Sequence, residues 1–205
     1  MLMLKQKYFE ENVRALGYGD VKSIPPVFCA LAEGQAQTKR IAAKALNGIL
    51  STLQFDDVVR VDKQMRETSS MEWFINWRRV KIDDLLDDSM SANERRAIVI
   101  FASFNPNGFI REQAVKMLSD YYMSLHFIIL RLNDWVTQVR LASAAAYKKR
   151  LVNLTAGELT AAMPYADKLR LCERDSHNEN VRLFFDILAS RKYEKELTAA
   201  YRART

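Results

Sequence analysis

Residues 133–151 read NDWVTQVRLASAAAYKKRL, and this stretch decides the fold of the chain. It predicts a polar turn and then a helix, with the Asp134 carboxylate accepting hydrogen bonds from the first free backbone N–H groups. Its last turns are basic, which suits the negative end of a helix dipole. Small residues on its apolar stripe let a neighbouring helix approach closely. That stripe consists of Trp135, Val139, Ala142 and Ala146.

The same plan recurs elsewhere in the chain. The turn NPNG at 105–108 precedes FIREQAVKML, the polar residues DSHN at 175–178 precede ENVRLFFDIL, and a looser copy, KRIAAKAL, lies at 39–46. Each copy carries one arginine, and successive arginines are 71, 29 and 42 positions apart, so a degenerate copy is expected inside the first gap. Periods of about 30 to 45 residues built from helix pairs predict an α-solenoid. The arginines are Arg40, Arg111, Arg140 and Arg182.

A turn followed by Val or Ile, Arg and a small residue resembles the second helix of a HEAT repeat. Asp134, with Arg140 six positions on, matches the Asp and Arg positions of that family best. Those two residues form a ladder between neighbouring HEAT repeats, so the resemblance implies the same role for Asp134 and the four arginines. The other copies depart from the pattern: Asn105 replaces the Asp before Arg111, Ser176 or Asp175 does so before Arg182, and Gly34 stands before Arg40. The implied ladder is therefore incomplete.

The expected fold class is all-α, an α-solenoid of stacked antiparallel helix pairs. The HEAT/armadillo-like resemblance implies about four to five repeats in a right-handed superhelix. We expect one helical repeat domain over residues 1–205. Its expected parts are an N-terminal capping helix at 1–20, degenerate repeats at 25–90, HEAT-like repeats at 91–190 and a C-terminal helix or cap at 191–205.

Local signals predict where individual helices begin and end. Helices are expected at 2–16, stopped by GYGD, from the Pro25-Pro26 pair to about 32, and at 55–67. Capping-box patterns stand at Ser91 with Glu94 and at Thr155 with Glu158, and Pro164 is expected to kink or break the helix that follows.

A further capping box, Ser69 with Glu72, predicts a helix with Trp73, Trp77 and Val80 on one face. That helix should end in the acidic run at 83–88, which opposes the helix dipole, so its end is expected to fray, to meet a basic partner or to be a solvated edge. The apolar runs at 97–104 and 125–130 are rich in β-branched residues but are interpreted as buried helices, because no second alternating run pairs with them.

Composition restricts the function classes. The chain has 205 residues, of which 49% are hydrophobic and 27% charged, as expected of a folded protein. Two cysteines favour a reduced, cytoplasmic setting over a disulfide framework. No apolar run approaches the roughly 20 residues of a membrane span, so no membrane association is expected. The net charge is +6, and residues 111–205 carry 16 Lys and Arg against 11 Asp and Glu, so most of the excess lies there.

No catalytic constellation stands out. His126 lies in an apolar segment and is interpreted as a core residue, His177 lies in a polar turn, and Cys29 has no nearby histidine in the sequence. Metal-binding, phosphate-loop and nucleophile-elbow motifs are lacking, so no cofactor or small-molecule substrate is expected and a non-enzymatic role is favoured.

Two function classes stay open. The first is a scaffold that binds a protein partner through its concave, second-helix surface. The second is a nucleic-acid-binding module, which the basic C-terminal half permits; some HEAT-like solenoids are DNA glycosylases that remove alkylated bases, and that likeness rests on size, layout and charge. The candidate binding residues are basic ones on the second helices and the C-terminal segment: Arg78, Arg79, Lys116, Lys148, Lys149 and Lys192.

Overall fold

The computed structural model describes residues 2–67, 75–172 and 178–190, together with Tyr193 and Thr198. Over these residues the chain is all-α, with ten α-helices and two short 3₁₀ segments, Val21–Ser23 and Ile82–Leu85. The all-α prediction is therefore confirmed. The helices are α1 (Leu2–Gly17), α2 (Ile24–Glu33), α3 (Ala36–Leu50), α4 (Phe55–Glu67), α5 (Ala92–Ala102), α6 (Gly108–Leu118), α7 (Leu125–Leu132), α8 (Thr137–Leu151), α9 (Ala156–Arg170) and α10 (Asn178–Leu188).

Most predicted helix ends are confirmed because local chemistry sets them. After α1, Gly19 adopts a φ of +85°, a left-handed conformation that glycine takes without steric cost. Gly34 follows α2 at a close approach, since a Cβ added there would lie 2.4 Å from the carbonyl oxygen of Ala30. The Ser91 hydroxyl and the Glu94 carboxylate cap α5 reciprocally, and the Thr155 hydroxyl accepts from the Glu158 N–H at the start of α9.

The chain divides into two compact units, Met1–Ala114 and Val115–Thr205, with the boundary inside α6. In the first unit α1, α2 and α3 pack against one another and α3 also packs against α5. Six consecutive residues of α5, from 97 to 102, are completely buried, as expected of a helix that is apolar on all sides. The predicted helical interpretation of this β-branched run is confirmed.

In the second unit α7 packs against both α8 and α9, and α9 packs against α10. Two polar contacts fix these helices. The Ser143 hydroxyl donates to the carbonyl of Ile128 at 2.7 Å, and the Arg150 guanidinium binds the buried Glu158 carboxylate through two hydrogen bonds of 2.9 and 2.6 Å. The neighbours α7–α8 and α9–α10 are thus two helix pairs, joined through α7 and α9.

The helix predicted around Trp77 and Val80 is wrong over its described residues, because 75–80 form a turn flanked by irregular structure. The Asn76 side chain accepts from the Arg78 N–H at 3.2 Å, a local turn that competes with helix. The Trp77 ring stacks on Phe28 with centroids 5.8 Å apart, which gives its buried ring a partner from α2.

Three further predictions are corrected around α8 and α9. Trp135 precedes α8 and is 65% exposed, so it does not extend the buried stripe of Val139, Ala142 and Ala146. Asp134 is not the N-cap either, because α8 begins two residues later than a cap there requires, with Val136 as N-cap. Pro164 lies within the continuous helix α9, so the expected break is wrong, and a kink there stays a prediction.

Other predictions concern residues outside the described part of the chain. These are the proposed cap at Ser69, Trp73, His177, Lys192 and most of the C-terminal segment. Within that segment Tyr193 is buried and its hydroxyl donates to the carbonyl of Leu154 at 3.3 Å. The single repeat domain over 1–205 and its subdivisions stay predictions. Among the helices that the structure describes, none has the length and apolar character to cross a membrane.

Candidate interaction surface

Two of the repeat turns share one hydrogen-bond pattern. In the turn at 105–111 the Asn105 side chain accepts from the Asn107 N–H at 2.8 Å, and Arg111 Nη1 donates to the carbonyls of Asn105 and Pro106 at 2.8 and 2.9 Å. Arg111 is completely buried. The guanidinium therefore closes the turn that precedes its own helix, α6.

The turn at 134–140 repeats this pattern. The Asp134 carboxylate accepts from the Val136 N–H at 2.9 Å, and Arg140 Nη1 donates to the carbonyls of Asp134 and Trp135 at 2.8 and 3.2 Å. Asp134 also pairs with Arg131 at 3.2 Å, and both side chains are buried. The sequence repeat is thus a repeat of local geometry, at a spacing of 29 residues.

The remaining members of the implied ladder are placed differently. Arg40 is exposed and its Nη2 lies 3.4 Å from the Ser89 hydroxyl, while Arg182 is exposed and lies 3.9 Å from Asp186 on its own helix. One hydrogen bond does join two turns of the first unit, from the Asn107 amide to the carbonyl of Trp77 at 2.8 Å. A ladder between repeats made by Asp134 and the arginines stays a prediction.

The acidic run meets basic residues of its own unit. Lys39 Nζ donates to the Asp84 carbonyl at 2.5 Å, and Arg95 Nη2 contacts the Asp87 carbonyl and the Asp88 carboxylate at 2.8 and 3.0 Å. Hydrogen bonds from Ser89 hold the pKa of Asp87 below its ordinary value. The run is therefore bound by α3 and α5, in addition to being a solvated edge.

The candidate binding residues fall in both units. Arg78 and Arg79 are exposed in the first unit, and Lys116 is exposed in the second. Lys148 and Lys149 are neighbours on α8, and both are exposed. Lys148 lies 3.9 Å from Glu179, and Lys149 lies 2.5 Å from Asp120, so each ammonium has a carboxylate beside it.

The solvent-facing side of α8 carries apolar side chains, although the sequence analysis predicted only one apolar stripe on this helix. Leu141 is 67% exposed and Val152, at the C-cap of α8, is 73% exposed. Ala145 is also exposed, and the spacing of four and seven positions places these three side chains on one face. We call Leu141, Ala145, Lys148 and Val152 the outer face of α8. Sequence reasoning missed it although the signal was present, because α8 carries apolar residues on two faces and only one was assigned.

An open apolar groove of about 510 Å³ lies between α1 and α3 in the first unit. Val13, Ile41 and Ala45 line it, and a Cβ added at Gly17 or Gly48 would meet no atom within 4 Å. Among the described residues that line it, Lys44 is the one with a charge. The groove therefore defines no ligand chemistry by itself.

The histidine and the cysteines of the described regions do not form a reactive centre. His126 is half-buried, with its ring centroid 5.1 Å from that of Tyr165. Burial raises the pKa of the Cys29 thiol to about 12, which disfavours the nucleophilic thiolate. Cys172 is half-buried and accepts from the Asn133 amide at 3.0 Å. In the part of the chain that the structure describes, no three His, Cys, Asp or Glu side chains are grouped to hold a metal ion.

Comparisons with known proteins found no matching family model, no similar curated protein and no similar solved structure. The geometry of the chain therefore carries the functional argument alone.

Proposed function

We propose that this chain is a HEAT-like α-solenoid that binds a protein partner through the outer face of α8. The fold part of the proposal comprises about four to five helix pairs in a right-handed superhelix. Its support is the repeated turn geometry at 105–111 and 134–140 and the two joined helix pairs of the second unit. Small-angle X-ray scattering tests it: a compact fold of this length has a radius of gyration of about 17 Å, and a solenoid should exceed that value.

The binding part rests on one observation, the exposure of Leu141 and Val152 on a helix whose opposite side is buried. Single exposed apolar residues are common on protein surfaces, but several on one face of a helix favour an interaction site. Trp135, next to the start of α8, adds a large exposed aromatic ring of the kind that dominates binding energies. The repeated helix pairs supply a rigid support for such a face.

Site-specific photocrosslinking tests this surface. A photoreactive amino acid at Ala145 of the full chain should give a discrete adduct in cells, whereas the same group at the exposed Met163 on α9 serves as the control. The adduct partner is then purified and titrated against the chain. Because hot-spot side chains dominate affinity, Leu141→Ser/Val152→Ser should weaken binding by about tenfold or more. Identical adducts from both positions, or equal affinity for the variant, would reject the proposal.

A nucleic-acid partner is the second candidate, favoured by the exposed Trp135 ring and by the net positive charge of the C-terminal half. This class includes an alkylpurine DNA glycosylase-like activity. Fluorescence anisotropy with a labelled duplex and a labelled single strand decides between the classes. Nucleic-acid binding should fall steeply between about 50 and 200 mM salt.

A further inference from the structure

Resting on the proposed function, we infer that the segment docking on the outer face of α8 is an acidic amphipathic helix. Lys148 lies within that face, between Ala145 and Val152 in the helical order, and Lys149 lies at its edge. The face therefore combines apolar side chains with cationic groups in its C-terminal half. A helix with an apolar stripe flanked by carboxylates complements both features.

The two lysines are available for such a partner. Their present carboxylates, Glu179 and Asp120, are themselves exposed, and exposed ion pairs of this kind hold their members weakly. Arg150 offers a contrast in the same helix. Its guanidinium is bound to the buried Glu158 carboxylate by two hydrogen bonds, so it is committed to the interior of the unit.

The dimensions of the face favour a helix. Leu141 and Val152 are eleven positions apart, which corresponds to about 16 Å along α8, or roughly three helical turns. Ala145 between them is small, so a side chain of the partner can approach the α8 backbone there. Three apolar residues at helical spacing in the partner would cover this length.

Charge disfavours both a second copy of this chain and its own C-terminal segment as the partner of the outer face. A second copy carries a net charge of +6, and residues 191–205 contain five Lys and Arg against two Asp and Glu. Both have the same sign as the two lysines of α8. Electrostatic complementarity therefore favours a separate, acidic partner.

Peptide display with the full chain tests the inference without a known partner. The probe is a pool of random peptides of about 16 residues, long enough for four helical turns, counter-selected against the Leu141→Ser/Val152→Ser variant. Selected peptides should carry apolar residues at helical spacing and an excess of Asp and Glu. A synthetic selected peptide should lose affinity about tenfold when its Asp and Glu are replaced by Asn and Gln.

Charge reversal on the protein gives the matching measurement. Lys148→Glu/Lys149→Glu should weaken binding of the acidic peptide by about tenfold or more. The control is Lys22→Glu/Lys63→Glu, which makes the same change in net charge at exposed sites of the first unit. It should leave the affinity for the peptide near the wild-type value. Peptides that need Leu141 and Val152 but show no acidic excess would overturn this inference and leave the proposed function standing. If no selected peptide depended on Leu141 and Val152, the proposed surface itself would be wrong.

Discussion

The turns at 105–111 and 134–140 have the same hydrogen-bond pattern but differ in charge and burial. In each, the first side chain accepts an N–H two residues on, and an arginine six residues on donates to two carbonyls. The first turn begins with a neutral amide and its arginine is completely buried; the second begins with a carboxylate paired to Arg131, and its arginine is half-buried. The comparison indicates that the repeat specifies the backbone contacts, while each turn's surroundings decide the charge of its first residue.

The largest expected effect comes from changing that charge. Asp134→Asn should lower the free energy of unfolding by about 3–5 kcal/mol, because it leaves the buried Arg131 guanidinium without its carboxylate. The asparagine can still accept from the Val136 N–H, just as Asn105 accepts from the Asn107 N–H. The lost stability therefore measures the ion pair with Arg131 and not the turn. Urea unfolding followed by circular dichroism measures it.

The control for this prediction is Arg131→Met/Asp134→Asn, which removes both charges and should recover most of the lost stability. A cost below about 1 kcal/mol for Asp134→Asn alone would mean that the two turns do not differ in their need for charge.

The next largest effect distinguishes the two arginines. Arg111→Met should cost about 3 kcal/mol, because the buried Asn105 carbonyl and the part-buried Pro106 carbonyl lose their donor. Arg140→Met should cost about 1 kcal/mol, because Arg140 is half-buried and water can replace it at the carbonyl of the exposed Trp135. Equal costs, measured by urea unfolding of both variants, would show that burial does not determine what this contact contributes.

A third prediction compares the two faces of α8. Ala142 is buried, so Ala142→Leu should overpack its contact and cost about 1–3 kcal/mol. Ala145 is exposed on the outer face, so Ala145→Leu should change stability by no more than about 0.5 kcal/mol. Thermal and urea unfolding of the pair measures this. A large cost at Ala145 would mean that the outer face is packed against other parts of the chain.

The sequence predicted those features that depend on neighbours along the chain. Local chemistry predicted the capping box at Ser91 and the helix that contains Pro25 and Pro26, which begins one residue earlier, at Ile24. The apolar run at 97–104 is helical as far as Ala102, and its last two residues lie in a turn. The predicted helix around Trp77 is wrong because the turn at Asn76 and the stacking of Trp77 on Phe28 together determine the conformation of that segment. The outer face of α8 was missed for a related reason. Leu141, Ala145 and Val152 form a second apolar stripe in the sequence, but tertiary structure decides which of the two stripes of α8 is buried.

The capping-box patterns at Ser91 and at Thr155 also differ in what their glutamates bind. In the first, the Glu94 carboxylate accepts from the Ser91 N–H and hydroxyl, both at 2.7 Å. In the second, Thr155 caps α9 but the Glu158 carboxylate binds Arg150 of the neighbouring helix instead. The Glu94 carboxylate thus binds the N–H of its own cap, whereas the Glu158 carboxylate binds a guanidinium of the neighbouring helix.

The smallest effect tests the first of these caps through its pH dependence. Hydrogen bonds from Ser91 lower the pKa of Glu94 in the folded chain, so the stability that this carboxylate contributes is present above its ordinary pKa and is lost as the pH falls through the folded value. Ser91→Ala should cost about 1 kcal/mol at pH 7. The difference from wild type should shrink as the pH falls below the ordinary pKa of a glutamate, because the protonated carboxyl no longer contributes fully in either chain.

Urea midpoints of the wild type and Ser91→Ala, measured from neutral to acid pH, provide this comparison. Thr155→Ala is the matched variant at the cap whose glutamate is bound elsewhere, and it should also cost about 1 kcal/mol at pH 7. If Ser91→Ala lowers the free energy of unfolding by the same amount at neutral and acid pH, the Ser91 hydroxyl alone provides the stability of the cap. Glu94 would then be no more than a neighbour of the cap, and the two boxes would differ only in where their glutamates point.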